Sequence, residues 1–506
     1  MKTVGVIGGG TAGWFSALAL KRRFPSFDVT VIESPNIPII GVGEATTTLM
    51  PPFLFTELGL DIVALCEAVK PTWKLGITFE WGPSDDGLFG SGSPQVEPSF
   101  TYPFGPAWPV EAMAYDGTLR TQSLTSHLMC AGKSPLIRES DGTVRSLLHE
   151  TKFAYHLDNV PFVAFLTHTA KQRGITHRLL EIARVETDAP RTRVERLHFT
   201  DGSSATFDLY VDASGFRSVL LGDALASPFI DYRSSLFCDS ALVTSVPQKT
   251  MEPYTTAETM DCGWCWRIPV EGENHRGYVF SSAHLDEATA LTEFRRANPT
   301  WVEGTRTSLV KFKSGRHADW WKGNVVGIGN AYGFVEPLES TALHMVILEL
   351  RALCERLAGS QEPERIGAHW DSLRWFLAAH YRFNTRRDSE FWKLVRASVD
   401  IGPLSDALEK LRTDGPWLEK DGSRFTPDDP TFGHAGLMMI LLGQRVEARA
   451  PKGLELDAKQ WAARQAEWSA LTARALPQHE ALEWLRANPE TLRASTRAPS
   501  WMLEPD

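Results

Sequence analysis

The turn near the start of the chain restricts the fold more than any other feature. "TVGVI" at residues 3–7 has the apolar, β-branched run of a buried strand, and "GGGTAG" follows it at once. "TAGWFSALALKRRF" then places apolar residues at helical spacing and ends on Lys and Arg, and "DVTVIE" reads as the next strand. The spacing therefore predicts a βαβ unit within the first 33 residues, and with it a parallel sheet. Gly8, Gly10 and Gly13 fit G-x-G-x-x-G between that strand and helix. The first permits the tight turn, the second lets backbone approach a pyrophosphate, and the third lets helix and strand pack closely. Unpaired N–H groups at the helix start would face the same anion. Glu33 ends the second strand at the spacing where a carboxylate accepts hydrogen bonds from an adenosine ribose. A dinucleotide site is expected.

Further glycine-rich turns follow apolar strands in "GVGEATT", "YVDASGFRS" and "GIGNAYGF". Several backbone-exposing turns suit a long, extended, resident ligand such as FAD better than a nicotinamide cofactor that comes and goes. From residue 153 to 174 the chain reads as helical, and "RVERLHFTDGSSATFDLYVDASG" as a small antiparallel meander returning to the main sheet. "NVVGIGNA" predicts a strand and "ALHMVILELRALCERLAG" a long helix closing at Gly359. Residues 79–110 are dense in Gly, Pro and Ser yet keep aromatics, the composition of a lid. Beyond His369 the chain reads as mostly helical and holds eight of the seventeen tryptophans. At 506 residues the chain exceeds a single core. The expected organisation is α/β: a sheet domain over 1–368 and a mainly helical cap over 369–506.

A net charge of −10 argues against a nucleic-acid partner, because phosphate contacts need clustered basic residues. No apolar run reaches the ~18–20 residues of a membrane span, so a cytoplasmic location is expected. Six dispersed cysteines do not form a disulfide framework. "CGWC" at 262–265 copies a dithiol spacing, but it lies in a strand pattern that Pro269 keeps from becoming helical. No second Cys or His pair completes a zinc site.

"GGGTAGW", "IPIIGVGEAT", "KLGITFEWG", "DASGFRS", "WCWRIP" and "FVEPLEST", in that order, resemble the flavin-dependent tryptophan halogenases over the N-terminal two-thirds of the chain. The resemblance implies a glutathione-reductase-like, Rossmann-type FAD domain. It also implies an activity: FADH2 from a separate flavin reductase reacts with O₂ and chloride or bromide to give hypohalous acid, which travels to an aromatic ring held apart from the flavin. Lys74 would hold that oxidant and Glu339 assist attack on the ring, with Glu336 structural. The cofactor lining implied is Gly8, Gly10, Ala12, Gly13, Glu33, Gly43, Ala45, Thr46, Val185, Gly329, Asn330 and Leu343. Thr341 and Ala342 would bind halide, at a position where family members commonly carry glycine or serine in place of Ala342. Trp264 and Trp266 would shield the flavin, and Tyr102, Phe104, Trp108 and Ser340 would line the substrate pocket.

Apolar neighbours of Lys74 should lower its pKa, and a carboxylate alongside should keep it charged. Lys74 also reads as a lysine snorkelling off a strand, and Glu339 as an acid at a helix start near Ser340. Tyr102 stands where the tryptophan-specific members carry a histidine, and their tyrosine pair with a following glutamate is missing. "FTPDDPTFGHAGLMMILLGQ" offers Phe425, Phe432, Leu437, Met438 and Met439 instead, with Asp428 and Asp429 useful only if turned inward. Burying a zwitterion without partners costs several kcal/mol. The expected substrate is thus an indole derivative, or a larger aromatic whose polar end stays in water. A flavin aromatic hydroxylase or epoxidase shares the fold and the glycines but needs no remote lysine, and a flavin-binding protein without activity shares the scaffold alone. A homodimer stays open.

Overall fold

A computed structural model describes residues 2–37, 43–82, 100–148, 150–361, 365–416, 433–450, 454 and 456–496. Its first layer is a six-stranded sheet in the order Thr176–Leu179, Asp28–Glu33, Thr3–Ile7, Leu209–Asp212, Val325–Gly327, Trp321–Lys322. All neighbours are parallel except the last pair. Val4, Val6, Val29, Val31 and Val211 are buried, as strands covered on both faces require. The helix Thr11–Arg23 lays Trp14, Phe15 and Leu18 into the core and ends on Lys21, Arg22 and Arg23, which complement its C-terminal dipole. The expected βαβ unit is present at the expected residues.

The meander also forms, from Ile182–Thr187, Val194–Phe199 and Ser204–Ala205, and the chain re-enters the large sheet at Leu209–Asp212. The stretch 153–174 departs from its all-helical reading. Ala154–Asp158 is a strand, pairing with both Gly43–Ala45 and Thr72–Lys74, and the helix Asn159–Gln172 starts only where the Asp158 carboxylate accepts from the Val160 N–H. The reason is local: Asp158 caps a helix, so the residues before it are free to pair.

A seven-stranded sheet runs Ser308–Lys311, Ser240–Pro247, Glu273–Phe280, Gly263–Val270, Thr255–Met260, Gly76–Glu80, Phe100–Pro103. Lys74 ends one strand of the small sheet, and two residues later Gly76 begins a strand of this large one. The joint is fixed by the Leu75 N–H donating to the Pro253 carbonyl at 2.7 Å. The expected lid therefore begins and ends in paired strands, with Phe79 stacked on Phe100; residues 83–99 of it lie outside the described residues. Cys265 is buried mid-strand and Cys262 sits in the preceding turn. Burial pushes their thiols up, to about 12 and about 11, the opposite of what dithiol redox chemistry needs.

After residue 365 the chain is mainly helical, from Ile366–Phe383 to Pro489–Thr496. These helices share one apolar core with the sheets, continuous from Val4 to Leu492. Ala475–Pro477 adds a short strand to Lys133–Arg138. Among the described residues no helix is long and apolar enough to cross a membrane, and no cluster of metal-ligating side chains occurs.

Candidate functional site

A cavity of about 450 Å³ opens at the C-terminal ends of the parallel strands, over the turn at Gly8. That turn is built by exclusion. Gly8 has φ +125°, and a Cβ on it would lie 2.2 Å from the Ala213 carbonyl oxygen; one on Gly13 would lie 2.0 Å from the Gly8 carbonyl oxygen. Gly10 faces open space, so backbone alone meets whatever occupies the cavity there. No side chain caps the helix Thr11–Arg23, leaving its first N–H groups available to an anion. A cradle of this kind, with Glu33 at the strand end lining the same cavity and bonded to His177 Nε2 at 2.8 Å, fits an extended dinucleotide.

Ala12, Gly43, Ala45, Gly329, Asn330 and Leu343 also line it, as do Ser340, Ala342 and Trp266. Three expected cofactor residues do not. Gly13 packs under the turn. Thr46 is buried, its hydroxyl donating to the Tyr155 carbonyl and accepting from the Tyr155 N–H, each at 2.9 Å, which ties two strands together. Val185 lies on the meander, whose nearer end supplies Glu181 and Ile182 in its place. Thr11, Ser214, Arg217 and Glu44 line the cavity without having been singled out. The glycine-rich turns that hold them marked the neighbourhood, but their side chains follow no spacing rule. Burial pushes the Glu44 carboxyl up to about 7.

Lys74 is fully buried. Its Nζ donates to Ser340 Oγ at 2.5 Å and sits 5.3 Å from the centre of the Phe104 ring. Ser340 lines the cavity while Lys74 does not, so the ammonium lies behind the cavity wall. Burial lowers the Lys74 pKa to about 7, with Glu339 opposing. The carboxylate thus offsets only part of the desolvation, where the sequence suggested it would prevail.

Glu339 lies in the turn Pro337–Glu339, and Oε1 is 2.8 Å from His380 Nε2. It does not cap the following helix, which begins at Ala342 after Thr341. Between them Ser340 adopts φ +59°, a left-handed conformation that a non-glycine residue holds only when its surroundings require it. The bend turns Glu339 away from the cavity that Ser340 and Ala342 line. The Thr341 hydroxyl is buried with no hydrogen-bond partner. His380 had no sequence signal: it reads as one more buried position of an amphipathic helix.

Glu336 is buried, its carboxyl pushed up to about 7 by desolvation, and its Oε2 accepts from both Trp264 Nε1 at 2.8 Å and the Tyr381 hydroxyl. Trp264 therefore stands behind Trp266, ring centres 5.9 Å apart, and only Trp266 reaches the cavity. Tyr102 is half-buried on the strand that pairs with Gly76–Glu80. Trp108 packs on Trp468 at 5.6 Å with the Arg464 guanidinium 4.3 Å over its ring, an engagement with the helix Ala458–Arg474. Phe425, Asp428, Asp429 and Phe432 lie outside the described residues; Leu437, Met438 and Met439 are buried.

The tryptophan halogenase family profile matches residues 3–459. The chain is 31% identical over 429 residues to tryptophan 7-halogenase RebH of Lentzea aerocolonigenes, covering 80% of each chain. The solved structure of MibH, a lathipeptide tryptophan 5-halogenase, superposes with a TM-score of 0.89 at 40% identity, covering 99% of this chain and 97% of that one. BrvH, a flavin-dependent halogenase from Brevundimonas sp. BAL3, superposes with a TM-score of 0.80 at 27% identity, covering 96% and 99%.

Proposed function

The chain belongs to the tryptophan halogenase family, flavin-dependent oxidoreductases, and from that premise we propose that it halogenates the indole ring of a substrate larger than free tryptophan, using FADH2 from a separate, diffusing flavin reductase. When bound, reduced FAD would activate O₂ by giving it two electrons, so that the activated oxygen can oxidise halide to hypohalous acid. Everything else falls to the chain. The N–H groups after Gly10 hold the pyrophosphate and Glu33 the ribose. The unpaired Thr341 hydroxyl and the helix start at Ala342 suit a halide ion. Trp266, backed by Trp264 and Glu336, closes the cavity wall and keeps the aromatic substrate off the cofactor.

On the far side of Ser340, Lys74 orients hypohalous acid by donating a hydrogen bond, and Glu339 receives the proton that leaves the ring. The observation that carries this reading is the enclosed ammonium of Lys74 on the reverse of the cavity wall. Tyr102 and Phe104 would flank the ring. The preference for a larger substrate is supported by the 40% identity to MibH, whose substrate is a lathipeptide tryptophan, against 31% to RebH. Indole, free tryptophan and a tryptophan-containing peptide, each incubated with enzyme, flavin reductase, FAD and bromide, should give halogenated product by mass spectrometry from the peptide first. Fastest turnover of free tryptophan would overturn the substrate claim. An oxygenated product formed without halide would overturn the halogenation.

A further inference from the structure

His380 lies within the helix Ile366–Phe383 with no exposed surface, boxed by the rings of Phe79, Trp81 and Phe376. Its Nδ1 is 3.0 Å from the Phe376 carbonyl oxygen. A carbonyl oxygen only accepts, so Nδ1 carries a hydrogen. The other nitrogen, Nε2, is 2.8 Å from Glu339 Oε1. A bare nitrogen lone pair and a carboxylate oxygen cannot bond to each other, so a proton lies between them. The pair therefore holds one proton more than a neutral imidazole beside a free carboxylate, whether that proton resides on Nε2 or on Oε1.

We propose that His380 and Glu339 work as one base: His380 is a positioning residue that occupies Oε1, so that Oε2 receives the proton expelled from the substrate ring. The inference rests on the halogenation reading above. In the step, a ring carbon takes the halogen as the halogen–oxygen bond breaks, and the electron pair of the C–H bond returns to the ring. The ring proton passes to Oε2, and the departing hydroxide takes a proton from the Lys74 ammonium and leaves as water. Transfer from Oε2 to the Lys74 amine then restores both groups. Among the described residues, Lys74 is the charged group recorded facing Glu339, while Glu336 and Tyr381, next along the two elements, are bonded to each other. A carboxylate as buried as that of Glu339 would be strongly disfavoured without a partner, which the proton shared with His380 prevents.

His380→Gln tests the idea, because an amide can still donate to Oε1 but cannot take up or release a proton. We expect it to bind FAD and melt like the wild type, to keep KM, and to lose about 10²-fold in kcat. With substrate deuterated at the halogenated carbon, the variant should show an isotope effect on kcat that the wild type lacks. His380→Gln/Glu339→Gln should be no slower than Glu339→Gln, as groups acting as a unit are not additive. Wild-type kcat in His380→Gln, no isotope effect, or losses that multiply would each overturn the proposal. Independently of turnover, histidine ¹⁵N spectra of the protein without cofactor should show a low-field proton bridging His380 and Glu339 that Glu339→Gln removes. Its absence from an active enzyme would overturn this inference alone. Its presence in a wild type that makes no halogenated product would sink the functional reading and the base role with it.

Discussion

Enclosing Lys74 disfavours its charged form, and the size of that penalty depends on pH. Its pKa falls from 10.5 to about 7 in the fold, so at low pH the burial opposes folding by up to about 5 kcal/mol. Between about pH 7 and pH 10 the unfolded chain keeps a proton that the folded one has released. Stability contributed at this site therefore rises with pH, by about 1.4 kcal/mol per unit. Lys74→Met should be more stable than the wild type at about pH 6.5, and the gap should narrow by about pH 8.5 in urea midpoints. Parallel pH profiles would mean that Lys74 is not desolvated. The same variant should lose halogenation by about 10²-fold or more while binding flavin normally, because Lys74 does not touch the cofactor cavity. Lys74 and Glu339 stood out in the sequence because each lies in a short motif. His380 did not, because its partner is 41 residues away and nothing in "AAHYRF" distinguishes a base from a core histidine.

At the scale of the element, the glycine turn separates two jobs that one motif performs. Gly8 is needed by the backbone: φ +125° and a carbonyl oxygen 2.2 Å from the missing Cβ leave no room for a methyl group. Gly10 is needed by the ligand, since beyond its own stretch of chain nothing of the protein lies within 4 Å of its missing Cβ. Gly8→Ala should therefore destabilise the chain by several kcal/mol, read as a large fall in Tm or loss of soluble protein. Gly10→Ala should leave Tm almost unchanged and weaken FAD binding, read by fluorescence titration. A normal Tm for the first, or unaltered flavin affinity for the second, would contradict the assignment. The motif was legible because its spacing reflects this packing directly. The strand Ala154–Asp158 was not, because five residues are too few to tell a period of 2 from one of 3.6 when a helix follows immediately.

At the scale of the molecule, the helices after residue 365 belong to the same apolar core as the sheets. The helix Ala458–Arg474 packs on Trp108 through Trp468, and Ala475–Pro477 completes a sheet with Lys133–Arg138. A chain cut after residue 457 should therefore expose that core and fail to fold cooperatively, seen as a lost or broadened thermal transition. A soluble, flavin-binding truncation would show instead that the sheets stand alone. A helical cap packed on the sheets was readable from the sequence, whereas the particular pairings that lock it there were not, since they join residues hundreds of positions apart. Ser340 has the broadest consequence. Its hydroxyl is bonded to Lys74 while the residue itself lines the cofactor cavity, so a barrier one amino acid thick divides the interior, and under the proposed division of labour the ring-binding side can be reshaped to accept new rings without disturbing the side that handles oxygen.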